Sequence, residues 1–482
     1  MQRALLSMAL AVGWRACAWG QTNVASEVPQ RLVKLSIAAT DAKGEPVTDL
    51  RTTEINVLED GRPAPVIFFR FAGRTRQVAA FGTGEFANRP GAAPTVILLD
   101  RWNERMTTTS GAWVEISRAL QHLESGDGIY IYFLTNQGEL FPVHPVPFMD
   151  SDVRLAAQSS PAQLAANLDD AVRKLPGFRP HSAQDWEIRA NKTFQALDWL
   201  SVQMASIPGR KSLIWVTHGL PLVIPFVEGG FGDLTLRVRS LSAVFVGSGT
   251  AIYTVEQSAV GVGAAPDLAG ETLEMFSDLT GGRWYSSNNT ARALADAIRD
   301  GRGNYTIAYY SPAQTKEKYH KIRITSTRKG VRFQTRDGFF DDAVQPQPED
   351  IKDAAFRAAR RSPLEATQIG LRVAVSPNPS AKTVRLRIYV DPADVLLEPR
   401  DTGYQGHLSF TVASYSNGFL KQARDPEDVD LNLTQEQLEK ATKNGITISK
   451  DVPLGENIQK LRVIVFDRAL DAVGSVTISD VK

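Results

Sequence analysis

Asp100 closes an apolar run, Thr95-Val96-Ile97-Leu98-Leu99, and is followed by Arg101-Trp102-Asn103-Glu104. Two carboxylates and a carboxamide in five residues are hard oxygen donors. Mg²⁺ takes such donors in octahedral geometry, together with hydroxyls and waters. Thr135-Asn136 close a second apolar run, Ile129 to Leu134, and Thr217-His218 close a third, Ser212 to Val216. Thr135 offers a hydroxyl, and the His218 imidazole suits a transition metal better than Mg²⁺. Asp100, Asn103, Glu104 and Thr135 are therefore the candidate ligands for a divalent cation. The wider set Asp100, Trp102, Asn103, Thr135, Asn136, Thr217 and His218 is the candidate rim for a partner. We favour a metal-free rim, in which Asp100 hydrogen-bonds the neighbouring loop and His218 is a satisfied structural histidine. No cofactor is expected.

Other chemistry is sparse. Thr107-Thr108-Thr109-Ser110 is a row of hydroxyls, better read as a helix cap. Glu59-Asp60 is an acidic pair that could hold a cation, but Asp60-Gly61 reads first as a turn. No Gly-x-Ser-x-Gly, His-Glu-x-x-His or phosphate loop occurs. Gly261-Val262-Gly263 lacks the third glycine of a dinucleotide loop. The six histidines are scattered, and Asp169-Asp170 and Asp341-Asp342 read as solvated pairs. The chain is therefore expected not to be an enzyme, with a hydrolase of envelope polymers as the weaker alternative.

The elements that would carry these residues are legible. The chain has 482 residues, 43% hydrophobic and 22% charged, with a net charge of +1. At about 150 residues per domain this suggests three domains. The balanced charge argues against a nucleic-acid binder, and no run of about 18 apolar residues suggests a spanning helix. Residues 1–20 read as a secretory signal, with Arg3, the apolar stretch Ala4 to Val12 and Ala18-Trp19-Gly20 before the cleavage point. Its loss would remove Cys17, the single cysteine, and leave a net charge of −1. The mature chain is thus expected outside the cytoplasm, periplasmic or secreted, with no disulfide and no transmembrane segment.

Residues 28–74 alternate in period two between turns and predict an N-terminal β module. Residues 74–93 read as a linker. From Pro94 continuous apolar strands alternate with helices, the texture of strands buried on both faces. That predicts an α/β class with a doubly wound, mainly parallel sheet at 94–340, closed by the strand Tyr305 to Tyr310 and a β-hairpin. Strands resume at 368–482 and predict a C-terminal β-sandwich-like domain. Ligands of such parallel sheets sit beyond the carboxyl ends of the strands, where Asp100, Thr135 and Thr217 fall.

The order of motifs resembles a family, the acidobacterial VWFA-related domain, of von Willebrand factor A type. The matching residues are Leu99-Asp100-x-x-Asn103, Pro208-Gly209-Arg210-Lys211-Ser212-Leu213-Ile214-Trp215, Tyr305-x-x-x-Tyr309-Tyr310-Ser311-Pro312 and Arg336-Asp337-Gly338-Phe339-Phe340, with Val47-Thr48-Asp49-Leu50 and Glu59-Asp60-Gly61 before them. The resemblance spans roughly residues 30 to 341. It implies a von Willebrand A-like sheet and a metal-ion-dependent adhesion site, which here is degenerate. Trp102 and Glu104 stand where the family has serines, and His218 where it has an aspartate. The function implied is protein binding or adhesion at the strand-end rim, without the standard metal. Metal-dependent adhesion through a rearranged site is the alternative.

Overall fold

The computed structural model describes residues 31–479 apart from 72–83, 89–92, 105–110, 149–151, 153–159, 176–185, 226–229, 258–268, 312–318 and 341–346, and the single positions 124, 127, 288, 303, 337, 379 and 381. The signal expected at 1–20, the hydroxyl row 107–110, Gly261-Val262-Gly263 and Asp341-Asp342 lie outside the described residues. Among the described residues no helix is long and apolar enough to cross a membrane.

The chain opens with β1 (Leu32–Thr40), β2 (Ile55–Glu59), β3 (Arg62–Pro63) and β4 (Val66–Phe71). In β1, Val33, Leu35 and Ile37 are buried while Leu32, Lys34 and Ser36 are half-buried, the alternation of a pleated strand with one face on a core. A short strand, β5 (Glu85–Ala87), follows.

The middle of the chain supplies β6 (Thr95–Asp100), β7 (Ile129–Leu134), β8 (Leu140–His144), β9 (Lys211–Thr217), the hairpin β10 (Val223–Pro225) and β11 (Phe231–Asp233), then β12 (Thr250–Gln257) and β13 (Trp284–Ser287). The sheet runs β13-β12-β9-β6-β7-β8, parallel from β13 to β7 and antiparallel at β8. Every residue of β6, β7, β9 and β12 is buried. Alternate residues explain why. Val96, Leu98, Tyr132 and Trp215 share one core with the helices Trp186–Ala205, Thr235–Gly247 and Gly270–Thr280. Ile97, Leu99, Phe133 and Val216 share the other with Gly111–Gln121, Pro161–Lys174 and Thr290–Arg302.

The next strands return to the N-terminal module. They are β14 (Asn304–Tyr310), β15 (Tyr319–Ser326), β16 (Arg332–Gln334) and β17 (Gly338–Phe340). β14 does not close the central sheet as expected. It lies antiparallel between β1 and β4. β15 pairs with β2, β16 with β1, and β17 with β15. Two four-stranded sheets result, β16-β1-β14-β4 and β17-β15-β2-β3, around a core that includes Ile37, Val57, Tyr305, Tyr309 and Ile322. The hairpin read as an extension of the middle domain belongs to this unit.

After the helix Pro348–Arg361 come β18 (Leu371–Asn378), β19 (Thr383–Val390), β20 (Glu398–Arg400), β21 (Gly403–Ser416), β22 (Phe419–Ala423), β23 (Glu427–Leu433), β24 (Ile446–Pro453), β25 (Lys460–Asp467) and β26 (Ala472–Ser479). They form a β-sandwich of two antiparallel sheets on one core. One sheet is β24-β19-β18-β5, so β5, in the stretch read as a linker, is a sheet edge. The other is centred on β21. The helix Gln435–Asn444 starts at a capping box, with Thr434 Oγ1 accepting from Gln437 N at 3.2 Å and Gln437 Oε1 accepting from Thr434 N at 2.8 Å.

The predicted class, α/β with a doubly wound, mainly parallel sheet flanked by β modules, is therefore corrected. The chain is mostly antiparallel β: among the described residues, parallel pairs occur only in the central sheet, which is itself mixed. Periodicity reports how many faces of a strand are buried and not which strand it pairs with. β1 and β14, more than 260 residues apart, decide the class through a ladder no local pattern encodes.

Asp467 at the end of β25 is buried, accepting from Leu396 N at 2.7 Å, Ala469 N at 2.8 Å and Leu470 N at 2.9 Å. Burial outweighs these donors and pushes its carboxyl up to about 6. The folded value exceeds the unfolded one of about 3.9, so this group stabilises most below pH ~4 and that stability is lost as pH rises through ~6. In urea titrations at pH 4, 5 and 6, wild type is expected to fall relative to Asp467→Asn by about 1.4 kcal/mol per unit at most. Parallel pH profiles for the two proteins would contradict this.

Candidate partner-binding rim

β6 and β9 are the neighbours at which the central sheet changes direction, since the chain adds β7 and β8 on one side and β12 and β13 on the other. Their carboxyl ends are Asp100 and Thr217. Asp100 is completely buried, and both its oxygens are engaged. Oδ1 accepts from the backbone N–H of Asn103 at 3.0 Å. Oδ2 accepts from Asn103 Nδ2 at 2.7 Å, Thr217 Oγ1 at 2.7 Å and Trp215 Nε1 at 3.1 Å. Such a carboxylate is expensive to bury and is retained because neutral donors surround it.

The network runs outward from Asn103. Its Nδ2 also reaches Thr193 Oγ1 at 2.9 Å, and its Oδ1 accepts from Arg189 Nη2 at 3.2 Å. Thr193 Oγ1 donates to Arg189 O at 2.8 Å, and Trp102 Nε1 donates to the same carbonyl at 3.1 Å. The Arg189 guanidinium stacks over Trp186, 4.2 Å from the ring centre. The loop after β6 is thereby bolted to the first turns of the helix Trp186–Ala205. The loop after β9 turns at Gly219, whose φ of +70° favours glycine, and whose N–H donates to Thr217 Oγ1 at 2.9 Å.

The rim expected from the sequence is not a surface. Asp100, Trp102, Asn103, Thr135, Asn136, Thr217 and His218 are all buried. Asp100, Trp102, Asn103 and Thr217 belong to one network. Thr135 makes its hydrogen bonds elsewhere: its Oγ1 accepts from Gln137 N at 3.4 Å and Glu139 N at 3.3 Å in the turn before β8. Glu104 pairs with Arg101 at 3.5 Å; burial raises its carboxyl, and Arg101 pulls it back. The oxygen set Asp100, Asn103, Glu104 and Thr135 is thus not arranged as a ligand sphere. Asp100 spends its lone pairs on protein donors, Asn103 donates its amide hydrogens to Asp100 and Thr193 and accepts from Arg189, and Thr135 accepts within its own turn.

Sequence reasoning missed Trp215, Thr193 and Arg189. The signals were present. Trp215 lies two residues before Thr217, hence on the same face of β9, and Arg189 and Thr193 are four apart on one face of a helix. Polar residues on the buried stripe of a helix call for a partner, and the partner was Asn103.

No protein-family model matches the chain. No curated protein matches it either. Among solved structures the chain is similar to the pilus adhesin SpaC from Lactobacillus rhamnosus GG, at 10% sequence identity and a TM-score of 0.28, over 86% of this chain. This chain spans 57% of the adhesin's length. A likeness that slight transfers neither fold nor activity.

Proposed function

We propose that the chain is an exported, non-catalytic protein-binding protein that meets its partner on the surface beside the carboxyl ends of β6 and β9. The observation that carries this reading is the β10–β11 hairpin, which leaves the sheet just after β9. Its Ile224 is buried in the core, whereas Val223 and Phe231 are 49% and 76% exposed. Leu236, in the first turn of the helix Thr235–Gly247, is 76% exposed as well. Single exposed apolar side chains are ordinary, but three large ones on one short ribbon and its neighbouring turn suit a surface that another protein covers. The Trp186–Ala205 helix packs against β10 and carries the exposed Ile188 in its first turn.

The buried network gives this surface a rigid base. It holds the β6 loop and the Trp186–Ala205 helix in register, so that little ordering is left for binding. The motif resemblance to the acidobacterial VWFA-related family, the leader-like residues 1–20 and the poverty of catalytic motifs support the same reading. A metal-dependent mode at Asp100 is the weaker reading, because a cation there would displace four donors.

The test is capture from extracytoplasmic extract by the wild type and by the double substitution Val223→Asp, Phe231→Ser. Retention is expected to fall by about tenfold or more in the variant, with the thermal midpoint little changed because Phe231 lies mostly in water and Val223 is half-exposed. Equal retention, or no capture by the wild type, overturns the proposal.

A further inference from the structure

The unit built from β1–β4 and β14–β17 brings together ligand-type atoms that lie 260 residues apart in sequence. β2 ends at Glu59, Asp60 follows in a left-handed turn with φ of 50°, and β15 carries His320. Asp60 is clamped by the backbone of β15: its N–H donates to Lys321 O at 2.9 Å, and its Oδ1 accepts from Lys321 N at 3.0 Å. That leaves Oδ2 facing His320 Nδ1 at 3.0 Å. Glu59 Oε1 is 3.4 Å from the same nitrogen and accepts from Ser311 Oγ at 2.5 Å. One atom from each of the three residues lies within 4.8 Å of the others. Glu59 and His320 are buried and Asp60 is exposed, so the cluster opens to water on one side.

An ion pair at a turn accounts for only part of this. Glu59 Oε2 is buried and has no hydrogen-bond partner. The hydroxyl of the fully buried Tyr309 stands beside the same Glu59 carboxylate, as a neutral donor to it. A buried carboxylate met only by neutral hydroxyl donors, beside an imidazole and a second carboxylate, suits a cation. Spacing and ligand type agree on the cation. With bonds of about 2.0–2.2 Å, a tetrahedral ion separates its ligands by about 3.3–3.5 Å, close to the 3.0 Å and 3.4 Å seen here. An imidazole with two carboxylates favours a transition metal over Mg²⁺ or Ca²⁺.

We propose that Glu59, Asp60 and His320 form a binding site for a divalent transition metal of the Zn²⁺ class, with water completing the sphere. Ser311 and the Lys321 backbone orient the two carboxylates from behind, as outer partners of metal sites do. The His320 ring is fixed by stacking on Phe339 at 5.0 Å. The Phe339 ring also carries the guanidiniums of Arg31 at 4.7 Å and Arg336 at 5.5 Å. The metal would staple the β2–β3 turn to β15, in a chain whose single cysteine can form no internal disulfide.

The test is calorimetric titration of the metal-stripped full chain, carrying Cys17→Ser, with ZnCl₂. One Zn²⁺ per chain is expected, with a rise in thermal midpoint. Asp60→Asn and His320→Gln are each expected to weaken binding at least about tenfold and to remove the rise. Asp169→Asn, in an acid pair elsewhere, is expected to change neither. Because Asp60 is exposed, its variant keeps the test decisive if the His320 variant fails to fold. No binding by the parent chain, or equal binding by Asp60→Asn, overturns the site and leaves a metal-free ion pair.

Discussion

Asp100→Ala is expected to lower the unfolding free energy by about 3–5 kcal/mol, among the largest effects of any single substitution in this chain. The carboxylate is fully buried and receives Asn103 N, Asn103 Nδ2, Trp215 Nε1 and Thr217 Oγ1. Alanine would strand these donors where no water replaces the acceptor, and each stranded buried donor costs about 1–3 kcal/mol. Partial relief comes from Asn103, which keeps Thr193 and Arg189. Asp100→Asn retains one oxygen and is expected to cost less, about 1–3 kcal/mol, because its amide would face other donors. Urea midpoints at constant slope check both. A loss below about 1 kcal/mol for Asp100→Ala would show that the network is not what holds the β6 loop. Weakened partner capture by Asp100 variants would accordingly report misfolding, which is why the hairpin substitutions are the better probe of binding.

Arg462→Ala is expected to cost about 3–4 kcal/mol and to free the helix Pro348–Arg361 from the sandwich. Arg462 on β25 is buried, and its guanidinium donates to Thr477 Oγ1 at 3.0 Å, to Ala359 O at 3.0 Å, to Pro363 O at 3.3 Å and to Ser362 O. Three of these acceptors are carbonyls at or just past the end of the helix, where intrahelical partners run out. One side chain therefore caps the helix and docks it, while Phe356 and Phe466 supply the apolar contact at 5.9 Å. Hydrogen exchange over 348–366 is expected to accelerate in the variant while exchange in β21 stays slow. Arg462→Lys should rescue only part, since an ammonium cannot span the forked acceptors. Unchanged exchange across 348–366 would contradict the docking role.

How much of this was legible beforehand depended on whether the information was local. The runs 95–99, 129–134 and 212–216 announced strands buried on both faces, and the strands that contain them are so buried. The Thr434–Gln437 capping box is information of the same local kind, since both partners lie within one turn. Long-range pairing was not readable. Tyr305 to Tyr310 has the same apolar texture as β9, yet it inserts between β1 and β4. Residues 85–87 looked like linker because three residues are too few to show a period. At the rim, Asp100 and Thr217 were recognisable as polar strand ends, but their burial was not, because exposure depends on which loops fold over them. Glu59-Asp60 looked like an ordinary turn, and without His320 nothing in that stretch distinguished it from one.

The pairing of β1 with β14, and of β2 with β15, also sets an order of events. β1 ends at Thr40 and its partner begins at Asn304, so β1 has no β14 to join until the chain has grown past Asn304. At the usual pace of synthesis, about 5–20 residues per second, the apolar strands of the first module wait on the order of tens of seconds. The 95–287 sheet, whose strands are all contained in that interval, has everything it needs to close meanwhile. The N-terminal strands must therefore be kept from premature pairing throughout that wait, which makes them the segment on which a holding chaperone would act.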